Sequence, residues 1–182
     1  MEGSSLPRKK RILDAKQIET LINRLAKQIL RSAKDEKSIA LIGIKTRGAY
    51  LSRRIGDILA QKLEVHHGVL DITLYRDDLN VLRENLAIGE SEINFDLNSR
   101  IVVLVDDVLF TGRTVRAALD QILDLGRPAV IHLTVLVDRG HRELPICATF
   151  SGKKVKTQRE DRVEVRLKEK DGVDEAYVIG RS

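Results

Sequence analysis

Chemistry in this chain concentrates in the segment Val102-Val103-Leu104-Val105-Asp106-Asp107-Val108-Leu109-Phe110-Thr111-Gly112-Arg113-Thr114. Two carboxylates follow a run of aliphatic residues, a costly place for charge unless they meet a cation, hydroxyl groups or water. Thr111-Gly112-Arg113-Thr114 then opens a helical pattern. The start of a helix carries unpaired backbone N–H groups and the positive end of the helix dipole, which suit a phosphate. Both threonine hydroxyls add donors, and Gly112 allows close approach. The turn lacks the Gly-Lys-Ser/Thr ending of a Walker loop and the three spaced glycines of a dinucleotide fingerprint. One acid can serve simply as a cap for the following turn, but capping needs only one carboxylate. Two acids over a phosphate turn fit a ribose phosphate, with hydroxyls held by the acids and the phosphate by the turn.

Two other polar turns follow apolar runs. Lys45-Thr46-Arg47-Gly48 comes directly after Ser38–Ile44, and Asp138-Arg139-Gly140-His141 comes after residues 130–137. Ligands of open α/β sheets bind beyond the carboxyl ends of the strands. The three turns are therefore expected to form one site. Arg47 has a surface-charge alternative, since many arginines merely cover protein surface. His141 reads as a solvated or structural loop histidine rather than an acid or base. The adjacent His66 and His67 do not suggest a metal site.

The elements needed to position these turns are readable from apolar spacing. Asp14 is placed to cap a helix in which Ile18, Leu21, Ile22, Leu25, Ile29 and Leu30 recur at helical intervals to about residue 34. Residues 38–44 form a continuous apolar run, as in a strand covered on both faces. Leu51, Ile55, Ile58 and Leu59 mark a second helix, and residues 65–75 a strand, so a right-handed crossover is expected. Residues 76–98 are polar and aperiodic, either a long mobile loop or a loop with a short hairpin, and such loops often serve as functional lids, with a plain surface loop as the alternative. A buried strand at 101–105 precedes a third helix through Val115, Leu119, Ile122 and Leu123, stopped by Gly126-Arg127-Pro128. A strand follows at 130–137. Alternating Val163, Val165 and Leu167 suggest a short antiparallel addition. The expected division is a basic flexible tail at 1–12 and one domain at 13–182.

At 182 residues and 42% apolar content, the chain can bury a substantial core. No apolar run approaches the roughly 20 residues of a membrane span, and residues 1–10 lack the apolar stretch of a signal peptide. A soluble, cytoplasmic protein without a membrane partner is expected. Cys147 is the single cysteine, reads as a small apolar residue, and fits a reducing compartment. The formal charge of +5 favours anionic partners, although 27 acidic residues are mixed with 32 basic ones.

The apolar strand, acid pair and Thr-Gly-Arg-Thr turn resemble the phosphoribosyl pyrophosphate motif of type I phosphoribosyltransferases. Lys45-Thr46-Arg47-Gly48, Asp71-Ile72-Thr73-Leu74-Tyr75-Arg76-Asp77-Asp78 and Val137-Asp138-Arg139-Gly140-His141-Arg142-Glu143-Leu144-Pro145-Ile146 resemble the PyrR family. These are pyrimidine-operon attenuators with uracil phosphoribosyltransferase activity, and the resemblance runs from about residue 13 to 168. It implies an α/β type I phosphoribosyltransferase fold: a central, mostly parallel sheet flanked by helices, a flexible hood loop and short antiparallel additions. It also implies conversion of uracil and phosphoribosyl pyrophosphate to UMP and pyrophosphate with Mg2+. The ion would sit mainly on substrate oxygens, with help from Asp106.

By the same resemblance, Asp106, Asp107 and Arg47 are the catalytic candidates. Lys45, Thr46, Arg47 and Gly48 form the pyrophosphate loop. Arg76, Asp77 and Asp78 belong to the hood, and Asp106, Asp107, Val108, Leu109, Phe110, Thr111, Gly112, Arg113 and Thr114 hold ribose phosphate. Val137, Asp138 and Arg139 recognise uracil. Dimers or larger homo-oligomers are implied.

The resemblance further implies UMP-strengthened binding to a pyrimidine-operon leader mRNA. Arg24, Lys27 and Arg31 lie at spacings of three and four, on one helix face with Asn23 beside them; Arg142 is a further candidate. A plain solvated face is the alternative. With three tyrosines, three phenylalanines and no tryptophan, stacked-aromatic recognition is not expected. The chain departs from the family where Cys147 replaces an arginine and Lys156-Thr157-Gln158-Arg159 replaces Pro-Thr-Ser. Lys153, Lys154 and Lys156 can offset that lost charge. Alternatives are a UMP-sensing RNA-binding regulator with negligible catalysis, and a phosphoribosyltransferase for another base without RNA binding.

Overall fold

The computed structural model describes residues 8–72 and 91–180. In chain order its elements are β1 (Lys9–Leu13), α1 (Ala15–Ser32), β2 (Ser38–Ile44), α2 (Arg47–Leu59), β3 (Glu64–Leu70), β4 (Ile101–Leu109), α3 (Arg113–Leu125), β5 (Val130–Asp138), β6 (Phe150–Lys154), β7 (Arg162–Arg166), α4 (Lys168–Asp171) and β8 (Glu175–Ile179). The five parallel strands are ordered β3-β2-β4-β5-β6, and a three-stranded antiparallel sheet is ordered β1-β8-β7.

The apolar runs of β2 and β4 form strands because helices cover both faces of the parallel sheet. Strand alternation divides β4 between two cores. Val103 and Val105 pack with Ile18, Leu25 and Ile29 of α1 and Leu51 and Ile55 of α2. Val102 and Leu104 pack with Val115, Ala118 and Ile122 of α3. The entry to α1 is fixed by a reciprocal capping box. Asp14 Oδ1 accepts from the Gln17 N–H at 2.8 Å, and Gln17 Oε1 accepts from the Asp14 N–H at 3.0 Å. Such a cap contributes about 1 kcal/mol.

Several expectations are corrected. Lys9–Leu13, assigned from sequence almost wholly to the flexible tail, forms β1 and pairs with β8. Its basic residues lie on the exposed part of the strand, while Leu13 enters the core at 2% exposure. Residues 1–7 lie outside the described residues. The C-terminal addition is not only antiparallel, because β6 joins the central sheet parallel to β5. Strand β4 continues past Val105 to Leu109, carrying the acid pair within the strand. Strand β3 ends at Leu70, short of the expected residue 75; residues 73–75 lie outside the described set. Cys147, read from sequence as a small apolar residue, is exposed. No helix among the described residues is long and apolar enough to cross a membrane.

Candidate active site

Strand order makes the site. From β2 the chain crosses outward to β3, then returns to β4 on the other side of β2 and proceeds to β5 and β6. The direction of winding changes between β2 and β4, and ligands of open α/β sheets bind in the crevice beyond such a switch point. The turn after β2 and the acid pair on β4 flank that crevice.

Lys45, Thr46, Arg47 and Gly48 pass from β2 into α2. The Lys45 N–H donates to the Leu70 carbonyl at 2.8 Å, and Lys45 Nζ lies 3.9 Å from Asp71 Oδ2. The Lys45–Thr46 peptide is cis. Gly48 is needed for close approach, since a Cβ there would fall 2.4 Å from the Val105 carbonyl oxygen and 3.2 Å from the Asp106 Cα. The backbone of this turn therefore lies directly against the base of the acid pair.

Asp106 is 6% exposed. Its Oδ1 accepts from the Asp107 N–H at 2.9 Å, and Asp107 Oδ1 accepts from the Val108 N–H at 2.9 Å. Burial pushes the Asp107 carboxyl above its ordinary range; a hydrogen bond with Asp106 and the charge of Arg47 act the other way. Hydroxyl groups and cations are the partners that such a pair accepts.

Beyond Val108, Leu109 and Phe110, the turn narrows at Gly112. This residue is the N-cap of α3 and has φ 95°, in the left-handed region that favours glycine. Arg113 and Thr114 form the first turn of α3, so its N–H groups open toward the same end of the sheet as Asp106. Arg113 Nε bonds Glu143 at 2.8 Å, and Arg159 also bonds Glu143. Thr111 accepts at its carbonyl from the N–H groups of Glu143 and Leu144, at 2.9 and 3.3 Å. The Thr111–Thr114 turn and the loop after β5 are thus joined.

Val137 and Asp138 end β5, and Asp138 pairs in register with Leu109 of β4. Arg139 was expected to meet the base's polar edge, but it is 5% exposed and packs within the fold. Its guanidinium lies 3.9 Å from the Phe110 ring centroid, and Nη2 donates to the carbonyls of Gln158 and Arg159 at 2.9 and 3.1 Å. Arg142 is also used within the fold. It donates to the carbonyls of Ile146, Phe110 and Gly140 at 3.0, 2.8 and 3.0 Å and to Asp138 at 2.5 Å. The His141 Nε2 contacts the Thr157 carbonyl at 2.8 Å, consistent with a structural role.

The remaining expected residues stand apart. Asn23, Arg24, Lys27 and Arg31 are exposed on α1. Asn23 bonds the Glu19 carbonyl at 3.0 Å, and Arg24 reaches the Ser151 and Gly152 carbonyls of β6. Arg76, Asp77 and Asp78 lie outside the described residues. Sequence reasoning missed the ion pairs that brace the site, Asp171 on Arg47 and Glu143 on Arg113, and, outside the site, the pairing of Glu169 and Asp174 with Arg54. Each joins residues distant along the chain, and no periodicity or motif announces such a pair.

The phosphoribosyl transferase domain family matches residues 9–169. The chain is 51% identical over 173 residues to the bifunctional protein PyrR of Roseiflexus sp. (strain RS-1), covering 93% of this chain and 94% of that protein. It is 50% identical over 165 residues to the bifunctional protein PyrR of Deinococcus radiodurans, covering 90% of each. The hypoxanthine phosphoribosyltransferase of Trypanosoma cruzi superposes with a TM-score of 0.70 at 16% identity, covering 94% of this chain and 96% of that one. A hypoxanthine-guanine phosphoribosyltransferase of Bacillus anthracis gives 0.68 at 17% identity, covering 94% and 99%. The two structural likenesses place the fold among type I phosphoribosyltransferases.

Proposed function

Because this chain belongs to the phosphoribosyl transferase domain family and, within it, to the PyrR family, we propose that it converts uracil and phosphoribosyl pyrophosphate to UMP and pyrophosphate. The observation that carries this reading is the contact of the Gly48 turn with β4 at Val105 and Asp106. It supports the reading because the Lys45–Gly48 turn lies beside the acid pair of β4, with the Gly112 turn beyond the same strand.

In this reading Asp106 and Asp107 accept from the ribose hydroxyls, and Thr111 to Thr114 bind the 5′-phosphate through backbone N–H groups and hydroxyls. Thr46 and Arg47 bind the departing pyrophosphate. The uracil nitrogen bonds to the ribose carbon as the carbon–oxygen bond to pyrophosphate breaks, the bonding electrons leave with pyrophosphate, and the N–H proton of the base passes to solvent. Charge builds on the leaving group and positive character on the ribose carbon, so fixed donors and fixed carboxylates at opposite ends lower the barrier. Val137, Asp138 and the backbone after them face the base, with Arg139 supporting the loop from beneath.

Magnesium fits this donor set. Among the described residues no three His, Cys, Asp or Glu side chains gather as a metal cluster, and the ion commonly takes most of its oxygens from substrate and water. Asp106 is the protein oxygen donor in this reading. When bound, the ion neutralises phosphate charge.

Purified protein incubated with magnesium, phosphoribosyl pyrophosphate and, separately, uracil, hypoxanthine, guanine and adenine tests the assignment. UMP is the expected product. No nucleotide above a no-protein control would overturn the enzymatic reading, and a nucleotide from another base alone would reassign the substrate.

A second activity is favoured by the exposed basic face of α1. We infer that Asn23, Arg24, Lys27 and Arg31 contact a pyrimidine-operon leader mRNA and that UMP in the site strengthens the complex. Arg142 is assigned instead to the base loop, where its donors are engaged. Binding of leader RNA with and without UMP, against a scrambled sequence, tests this role. Equal affinity for both sequences, or indifference to UMP, would leave a plain enzyme.

A further inference from the structure

Arg47 is held from outside the parallel sheet. Asp171, the last residue of α4, receives Arg47 Nε at 3.1 Å and Nη2 at 2.9 Å through its two carboxylate oxygens. The acceptor is itself fixed, because Asp171 Oδ2 also accepts from the Leu167 N–H at 2.9 Å. Seven residues farther along α2, Arg54 binds both Glu169 and Asp174. The segment around α4 is thereby docked on α2 at two points, with only the first reaching the candidate site.

A guanidinium gripped through Nε and one Nη has a defined plane, and among the described residues no hydrogen bond occupies the other Nη of Arg47, which offers a second fork of donors. The charge of Arg47 also acts on the Asp107 carboxyl. One guanidinium is therefore anchored by a carboxylate of the C-terminal segment and stands in the field of the acid pair on β4.

We propose that Asp171 is a positioning residue that orients Arg47, so that the second edge of its guanidinium meets the pyrophosphate group of phosphoribosyl pyrophosphate. The inference rests on the reading of Arg47 as a pyrophosphate ligand. An arginine already ordered by Asp171 loses less side-chain freedom when the substrate arrives, and this preorganisation enters as tighter binding. The ion pair also leaves Asp171 as a counter-charge before pyrophosphate is present. Arg54 supplies a natural comparison, since it docks the same segment without belonging to the candidate site.

The test measures magnesium–phosphoribosyl pyrophosphate binding by calorimetry, steady-state kinetics and thermal melting for the full chain and its R47A, D171N, D171E, D174N and R47A/D171N variants. D171N keeps an oxygen for the Leu167 N–H but loses the charge. It is expected to weaken phosphoribosyl pyrophosphate binding about tenfold, in the range typical of outer-shell partners, with the Michaelis constant for uracil unchanged. D171E should recover most of the binding, and the double variant should bind no more weakly than R47A. D174N should lower the melting temperature while leaving phosphoribosyl pyrophosphate affinity unchanged.

Unaltered or tighter substrate binding by D171N, alongside a severe loss in R47A, would overturn the positioning role and leave the assignment of Arg47 standing. Equal losses in D171N and D174N would reduce Asp171 to a structural staple. Normal binding by R47A, or no binding by the unmodified protein, would overturn the pyrophosphate reading and this inference with it.

Discussion

Asp138 closes the loop that leaves its own strand by accepting from Arg142 Nη2 at 2.5 Å and from the Gly140 N–H at 3.0 Å. Arg142 then spans to the carbonyls of Phe110 and Ile146, joining the loop after β5 to the residue before the Thr111–Thr114 turn. R142A should remove several charge-assisted hydrogen bonds and cost about 2 kcal/mol, allowing for partial exposure. Urea denaturation reads that loss, and the Michaelis constant for uracil should rise more than that for phosphoribosyl pyrophosphate.

Replacing Asp107 by Asn should reduce turnover about 100-fold or more, the scale seen when one electrostatic contributor to a transition state is removed. The same variant has a distinctive pH signature. Burial raises the folded pKa of Asp107 above its unfolded value, so its contribution to stability is fully present below the unfolded pKa and is lost as pH rises through the folded one. Melting curves should show D107N gaining stability relative to the parent as pH increases from acid toward neutrality. A constant difference across that range would contradict the buried-carboxyl account.

G48A introduces a Cβ 2.4 Å from the Val105 carbonyl oxygen. The three nearest atoms, from Val105 and Asp106, are all backbone, so relief requires separation of α2 from β4. A cost of about 1–3 kcal/mol follows from overpacking, together with weaker phosphoribosyl pyrophosphate binding. Chemical denaturation and substrate calorimetry provide the two readings.

The α2–α4 clamp should dominate part of the acid response. Glu169 and Asp174 are held below their ordinary carboxylate range first by their hydrogen bonds to Arg54. A depressed folded pKa gives stability that is present above the unfolded value and lost as pH falls through the folded value. R54A should therefore flatten the decline in stability below about pH 4, near the unfolded pKa values of these carboxylates. Melting temperature measured from neutral to acid pH checks the change in slope.

For RNA, K27A/R31A should weaken leader binding and reduce the slope of log affinity against log salt by about 1.5, as expected for two lost phosphate contacts on a single strand. UMP formation should remain at the parental rate. Filter binding across a salt series measures the first effect and product formation the second.

The parallel sheet was legible because Ser38–Ile44 and residues 101–105 are continuous apolar runs, and tertiary burial reinforced what their composition already favoured. Asp14 similarly announced the start of α1 through local capping chemistry, while the reciprocal bond from Gln17 emerged with the structure. Strand β1 was hidden by its basic residues, since only its pairing with β8 converts a charged segment into an ordered edge. Strand β6, Phe150–Lys154, has little apolar character and is stabilised by its place beside β5. The same difference governs the site. Its turns follow strands and carry recognisable residues, whereas Asp171 on Arg47 and Gln158 beneath Arg139 are contacts created only by folding.

Antiparallel pairing of β1 with β8 brings Lys9 opposite Ile179 and Leu13 opposite Ala176. Tension applied at residues 8 and 180 enters this ladder from the same end. The inter-strand bonds then carry load one after another instead of sharing it in shear, because they lie across the strand direction. Mechanical extension begins as a low-force zipper opening between β1 and β8, while the parallel sheet holding Asp106 and Asp107 is shielded until that fastening has parted.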